Sequence, residues 1–294
     1  MFIKFYQSNT VNALRRVKRE WGYNLYDLVR SLTQRQILSQ VVNKQEIRVV
    51  GLRRSGNHAV TNWVKEQQSG QVLYLNNIPP KENGYRVLYQ HYPKEHLRRE
   101  ALGHFVNKDC LIYSYEDWDL EQITDQHFEK KHDLYWGKSD RRYDLLILRD
   151  PFNTLASRLK NNFIEVKDPN QTFIELWLSY AKEYLGETNH LKNNKVCINY
   201  NQWFLDVSYR KEITSNLKLE FSDAGINQVK AQGGGSSFEG REFDGKAIQM
   251  KVLDRWKVFA EDPRYLKLLG NEEILEYSKR IFGDLPGTEV LYKR

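Results

Sequence analysis

Cysteine is scarce in this chain. Cys110 and Cys197 are the only two in 294 residues, too far apart for a paired-thiol metal site and too few for a disulfide framework. Both fall inside apolar, strand-like stretches and read as reduced core residues. No apolar run approaches the ~20 residues needed to span a bilayer, and the first residues lack the hydrophobic segment of a secretory signal. The chain therefore reads as cytoplasmic. No long basic run and no recognised nucleic-acid motif is present, which argues against a nucleic-acid partner. The formal net charge of +7 instead suits smaller anions, an acidic glycan or an anionic membrane surface.

What is present is a regular alternation. At 294 residues and 40% hydrophobic, the chain can bury one substantial core. Short apolar runs at Ile47 to Leu52, Val72 to Leu75, Arg86 to Gln90, Cys110 to Tyr113, Leu145 to Leu148 and Val196 to Asn199 read as strands. Helical patterns such as Thr172 to Leu185 separate them. Such alternation implies an α/β domain with a mainly parallel sheet and helices on both faces, here over residues 46–294. Residues 1–45 form a helical extension in which Val11, Leu14, Trp21, Leu25, Leu28 and Leu32 recur at alternating threes and fours, with Lys18 in one slot. That stripe is expected to dock on the core. Arg15, Arg16, Lys18 and Arg19 form a basic face that offers a second role, peripheral contact with a membrane or a partner helix. The run Gly233 to Phe238 is the one low-complexity stretch, and reads either as a surface linker or as a lid aided by Arg241 or Lys246.

Two segments carry the chemistry. After the apolar stretch Ile47 to Val50 comes Gly51-Leu52-Arg53-Arg54-Ser55-Gly56-Asn57-His58 and then the helix-compatible AVTNWVKEQ. Two glycines at this spacing, between strand and helix, form a loop whose backbone N–H groups can cradle a phosphate or sulfate. A nucleotide triphosphatase would continue with Lys and Ser or Thr; Asn57 and His58 stand there, and the charge sits at Arg53 and Arg54. The second segment is YDLLILRDPFNTLASRL, in which a strand ends on Arg149, Asp150 and Pro151 follow, and Ser157 comes eight positions after the arginine. Open α/β sheets place their ligands at such strand ends.

Together the two segments resemble those of the sulfotransferases that use 3′-phosphoadenosine 5′-phosphosulfate, closest in flavour to bacterial carbohydrate sulfotransferases. Arg54, Ser55, Gly56 and Asn57 match the first motif, with Arg in place of the commoner Lys, and Arg149, Asp150, Pro151 and Ser157 match the second. KVCINYNQWFLD is similar to the late strand that ends in Tyr, here Tyr200, and DRWKVF to the Trp-Lys pair near the family's C-terminus. The resemblance runs in order from about Ile47 to Phe259. It implies a P-loop NTPase-like three-layer sandwich, a 5′-phosphosulfate held by the loop from Arg53 to His58, a 3′-phosphate held by Arg149 and Ser157, and no requirement for a metal.

Sulfuryl transfer also needs a charge to stabilise the leaving nucleotide and a base for the acceptor's proton. Arg54 suits the first task. Glu116, Ser-x-Glu after the strand CLIYS, and His91, after RVLYQ, compete for the second, with His58 a third candidate better placed to donate to the phosphosulfate. Glu116-Asp117 also resembles the acidic strand end of a nucleotide kinase or triphosphatase, so a kinase with a degenerate loop stays open, as does a non-catalytic nucleotide-binding scaffold. The acceptor reads as a polysaccharide or lipid-linked sugar, with a small phenol or sterol as the competing reading, and Trp63, Trp118, Trp136, Trp177 and Trp203 are available for stacking.

Overall fold

The computed structural model describes residues 2–229 and 235–291, with side chains described from residue 17 onward. Five strands, β1 (Val41–Gly51), β2 (Val72–Leu75), β3 (Lys108–Glu116), β4 (Lys138–Leu148) and β5 (Val196–Asn199), form one sheet in the order β2-β3-β1-β4-β5. Every pairing is parallel. Parallel strands need crossovers that cover both faces, so their residues are apolar on both sides. Ile47 and Val49 of β1 accordingly join Ile112, Leu145, Ile147 and Ile198 in one cluster, with Val60, Trp63 and Trp203 from the overlying helices. Val50 and Leu52 join Leu111, Tyr113, Leu146 and Leu148 in another, with Tyr85, Phe152, Leu155, Trp177 and Ile274. These are the three layers of a P-loop-like α/β sandwich.

Register lines up the functional edge. Gly51 lies opposite Glu116 of β3 and Ile147 of β4, and Leu148 opposite Asn199 of β5. The residues that follow these strands therefore leave the sheet side by side.

Three expectations are corrected. Arg86 to Gln90 is not a strand but part of a helix, Gly84–His91, whose start is capped by Asn83 accepting the Arg86 N–H at 3.2 Å. A five-residue apolar run fits either period, and the buried Tyr85 and Arg86 set it as a helix. Trp63, Trp136 and Trp177 are fully buried core residues and cannot stack on a sugar. The N-terminal helix, Phe2–Thr33, does not dock through its apolar stripe. Trp21, Leu25, Leu28 and Leu32 all point to solvent, and the docked face is polar: Arg86 donates to both oxygens of Asp27 at 2.7 and 2.5 Å, Arg30 to the Leu134 carbonyl at 3.2 Å, and the Tyr26 hydroxyl to the Leu102 carbonyl at 3.1 Å.

β1 is also longer than its apolar run, because its first half carries polar residues that are buried and paired. Glu46 is fully buried, accepting from His132 Nε2 at 2.8 Å and from the Tyr113 hydroxyl at 2.7 Å, with Arg142 Nε at 3.3 Å. Arg48 pairs with Asp144 at 2.8 Å. Burial pushes the Glu46 carboxyl up, but His132 and Arg142 outweigh it and hold the group well below the usual carboxylate range. Burial pushes His132 down, and Glu46 and Asp133 reverse that and raise it above its ordinary 6.5. A raised imidazole contributes stability that is complete below pH 6.5 and is lost as the pH climbs through the folded value. Glu46→Gln should lower the unfolding free energy by about 3 kcal/mol, as breaking a buried ion pair does. It should also flatten the fall in stability above pH 6.5. Urea melts at a series of pH values measure both, and an unaltered slope would show that the pair does not couple folding to protonation.

Candidate functional site: a cationic cleft at the strand ends

The loop after β1 is shaped by its glycines. A Cβ on Gly51 would lie 2.0 Å from Asn57 Oδ1, and one on Gly56 would lie 2.0 Å from the Tyr200 ring, with Gly56 at φ 90°. Neither position admits a larger side chain without displacing the neighbour. Arg54 adopts φ 68°, a left-handed conformation that costs a non-glycine residue of order 1–3 kcal/mol and is held only where the surroundings over-determine it. Those surroundings are internal hydrogen bonds. Ser55 Oγ donates to the Leu52 carbonyl at 2.7 Å and lies 2.9 Å from Asn57 Oδ1, while Asn57 Nδ2 donates to the same carbonyl at 2.9 Å and to Glu116 Oε1 at 3.1 Å. The Ser55 hydroxyl is thus a brace for the loop.

Asp117 fixes the loop from β3. It accepts the Arg53 N–H at 2.8 Å and pairs with Arg158 at 2.8 and 3.0 Å, both side chains fully buried. Glu116, beside it, faces the cleft, with Asn57 on one side and His58 Nε2 at 3.9 Å. Arg54 reaches Asn161 Oδ1 at 3.2 Å and stacks over Phe163 at 5.3 Å. Burial lowers its pKa, with Glu116 opposing that and Arg255 adding to it. Arg53 lies over the same Phe163 ring and 3.7 Å from Asp117, and is not among the residues that line the cleft.

At the other end of the cleft, Ser157 Oγ lies between two arginines. It accepts from Arg149 Nη1 at 3.4 Å and Arg255 Nη1 at 3.3 Å. Arg149 is buried, stacks on Tyr200 at 5.2 Å, and donates to the carbonyls of Arg54, at 3.1 Å, and Val252. None of its bonds reaches a carboxylate. Burial, and then the nearby Arg255, lower its pKa to about 10, so it stays charged at neutral pH. Arg255 meets Ser236 Oγ at 2.7 Å and Glu239 at 2.9 Å. Arg149 Nε, Arg255 Nε and His58 Nδ1 are buried with no partner among the described residues. Between the two ends runs an apolar wall of Tyr200, Trp203, Phe204, Met250 and Val252, and the whole cleft encloses about 850 Å³ including its open mouth.

The cleft brings together Arg54, Gly56, Asn57, His58, Glu116, Arg149 and Tyr200, with Ser157 just beneath. His91 is not among its lining residues; it ends the helix Gly84–His91 on the exposed surface. Arg255 was not anticipated. The resemblance pointed one residue further, to Trp256-Lys257, yet Trp256 is core and Lys257 pairs with Asp254 at 2.7 Å outside. Of the glycine run, Gly235, Ser236 and Ser237 line the cleft, whereas Gly233 and Gly234 lie outside the described residues. Arg241 pairs with Asp244, and Lys246 sits over Phe243, so neither reaches inward. Both cysteines are free; Cys110 is a core thiol as expected, whereas Cys197 is only partly buried at the edge of the core. No helix among the described residues is long and apolar enough to cross a membrane.

The structure is similar to a crystal structure of mouse sulfotransferase SULT7A1 complexed with PAP, at 13% identity over 90% of this chain and 95% of that one, with a TM-score of 0.44. No protein-family profile matches the chain, and no curated protein does. The reading of the cleft therefore rests on its own residues.

Gly56→Ala tests the loop. A methyl there meets the Tyr200 ring, whereas at Gly186, also at positive φ, it meets nothing within 4 Å. Gly186→Ala should cost only the backbone strain, of order 1 kcal/mol, and Gly56→Ala at least 1–3 kcal/mol more from overpacking. Chemical denaturation of the two variants gives the comparison; equal losses would mean that Tyr200 yields freely.

Proposed function

We propose that the protein is a sulfotransferase that moves a sulfuryl group from 3′-phosphoadenosine 5′-phosphosulfate to an acceptor hydroxyl. The observation that carries this reading is Ser157 Oγ between Arg149 and Arg255, at one end of a cleft whose other end is a helix N-terminus flanked by Arg54. Arg149 is a buried cation with no acid of its own, an arrangement that is costly until an anion joins it. Two separated anion sites, joined by an aromatic wall, fit a nucleoside that carries a phosphoryl group at each end of its ribose. The residues present therefore suit this co-substrate.

Bound there, the co-substrate supplies the sulfuryl group and leaves as the 3′,5′-bisphosphate. Arg149, Arg255 and Ser157 would hold the 3′-phosphate with charge-assisted hydrogen bonds. Arg54 and the first N–H groups of the helix Asn57–Glu66 would hold the 5′ end and offset the negative charge that grows on its bridging oxygen as the sulfur–oxygen bond breaks. His58 offers Nδ1 as a further donor. Glu116, oriented by Asn57, would take the proton of the acceptor hydroxyl as that oxygen bonds to sulfur. Tyr200, Trp203 and Phe204 would cover the adenine.

For the acceptor we favour a sugar hydroxyl, on a polysaccharide or a lipid-linked sugar. Of the five tryptophans considered for stacking, Trp118 is partly exposed, follows Glu116 by two positions and carries Lys167 over its ring at 5.7 Å. Trp203 belongs to the nucleotide side. The kinase reading is disfavoured by two placements. Asp117, the acid it would need at the strand end, is committed to Arg158 and Arg53, and Asn57, where a triphosphatase has its lysine, is bonded to Glu116.

Calorimetric titration with 3′,5′-adenosine bisphosphate and, separately, with ATP and magnesium tests the assignment; preferential binding of the bisphosphate is expected, and the reverse preference would sink it. Arg149→Ala should weaken bisphosphate binding by about 2 kcal/mol or more, roughly 30-fold. Glu116→Gln should leave that affinity nearly intact and slow transfer by roughly a hundredfold. An unchanged transfer rate would remove Glu116 from the role of base.

A further inference from the structure

The N-terminal helix exposes what most helices hide. Val17, Trp21, Leu25, Leu28, Val29 and Leu32 are between 49% and 75% exposed, on a helix whose opposite side is fastened to the domain by Asp27, Arg30 and Tyr26. The spacing of this face suits a second helix. Positions 18, 21, 25, 28 and 32 alternate by three and four, and Leu14 and Val11 continue the same register in the sequence. That is the a/d seam of a heptad repeat, which keeps its apolar line straight only against another helix.

We propose that this seam pairs with the same seam of a second copy of the chain, making the protein a homodimer through its N-terminal helices. The flanks of the seam among the described side chains are Val17, Gly22, Asn24, Val29 and Ser31, none of them charged, so nothing there repels a second helix. The six exposed apolar side chains present on the order of 700 Å² per copy, close to the roughly 800 Å² that each partner buries in a stable interface. Lys18 sits within the seam. In a parallel pair it would face its own copy, whereas in an antiparallel pair a positions meet d positions and Lys18 lies against Trp21 or Leu28 of the other copy. The antiparallel arrangement removes the like-charge contact, and a single lysine in a seam fixes register and orientation.

A lipid surface fits the same face less well. A helix lying on a membrane carries its cations along the edges of the apolar face. Among the described side chains, Arg30 is buried on the docked side, Arg19 bonds Gln90 at 3.0 Å, and Lys18 lies in the middle of the face and not along its edge.

The test is the mass of the full chain in solution at micromolar concentration, by sedimentation or light scattering. The expected result is a dimer of 2 × 35.0 = 70.0 kDa. The double variant Leu25→Glu, Leu28→Glu should run as a folded monomer that still melts cooperatively, since both side chains are exposed in the single copy, and Lys18→Leu should tighten the dimer. A wild-type monomer at all concentrations overturns the proposal, as does a double variant that stays dimeric. A wild-type monomer that sediments with vesicles of mixed zwitterionic and anionic lipid overturns it in favour of the membrane.

Discussion

The buried ion pair between Asp117 and Arg158 is the joint on which the cleft depends. Asp117 follows the last residue of β3, where register places it beside the end of β1, and it accepts the Arg53 N–H in the glycine loop after β1. Arg158 comes from the helix after β4 and also donates to the carbonyls of Arg53 and Glu165. One pair thus ties three strand ends, the loop and the downstream helix into a single rigid corner. Asp117 itself adopts φ 62°, a conformation that a β3 ending freely in solvent would have no reason to keep. Removing either partner would leave the other charge buried and alone, which is the costly case.

Around that corner the cations are distributed unequally. Arg158, Arg48 and Arg86 have carboxylate partners and serve the fold. Arg149 has none and rests on carbonyls and a hydroxyl, which orient its guanidinium without neutralising it. Burial keeps water from screening it, so an anion that arrives there meets a fixed, weakly solvated charge. Arg255 differs, because Glu239 and Ser236 already occupy its Nη2. A ligand at Ser157 must therefore share Arg255 with the 235–240 turn, which links the position of that turn to occupancy of this end of the cleft.

The edge of the sheet that bears the cleft was legible in the sequence because each piece is local. A glycine pair between strand and helix, and an arginine that ends a strand with Ser157 two turns along the next helix, are set by short-range geometry, and the apolar runs of β2 and β5 matched their strands to the residue. What was hidden is long-range. Arg255 lies 98 positions from Ser157, and nothing in DRWKVF marks that arginine over the lysine two places on. The first half of β1 was missed because Asn43 and Glu46 look like loop residues until Trp136, His132 and Arg142, about 90 positions away, are seen to pair with them. His91 was drawn in by an apolar run whose period is ambiguous at five residues.

The N-terminal helix shows why periodicity and burial are separate questions. Its apolar stripe was read correctly as a stripe, yet the domain holds the helix by the opposite face, through Asp27, Arg30 and Arg86. Ion pairs at this depth require that both charges leave water, and they succeed here because each guanidinium finds further acceptors in the carbonyls of residues 101, 103 and 134. A polar docking face consumes none of the helix's apolar surface. A hydrophobic pattern thus states that something must be covered, while the polar residues between, which carry geometry as well as charge, decide what stands on each side.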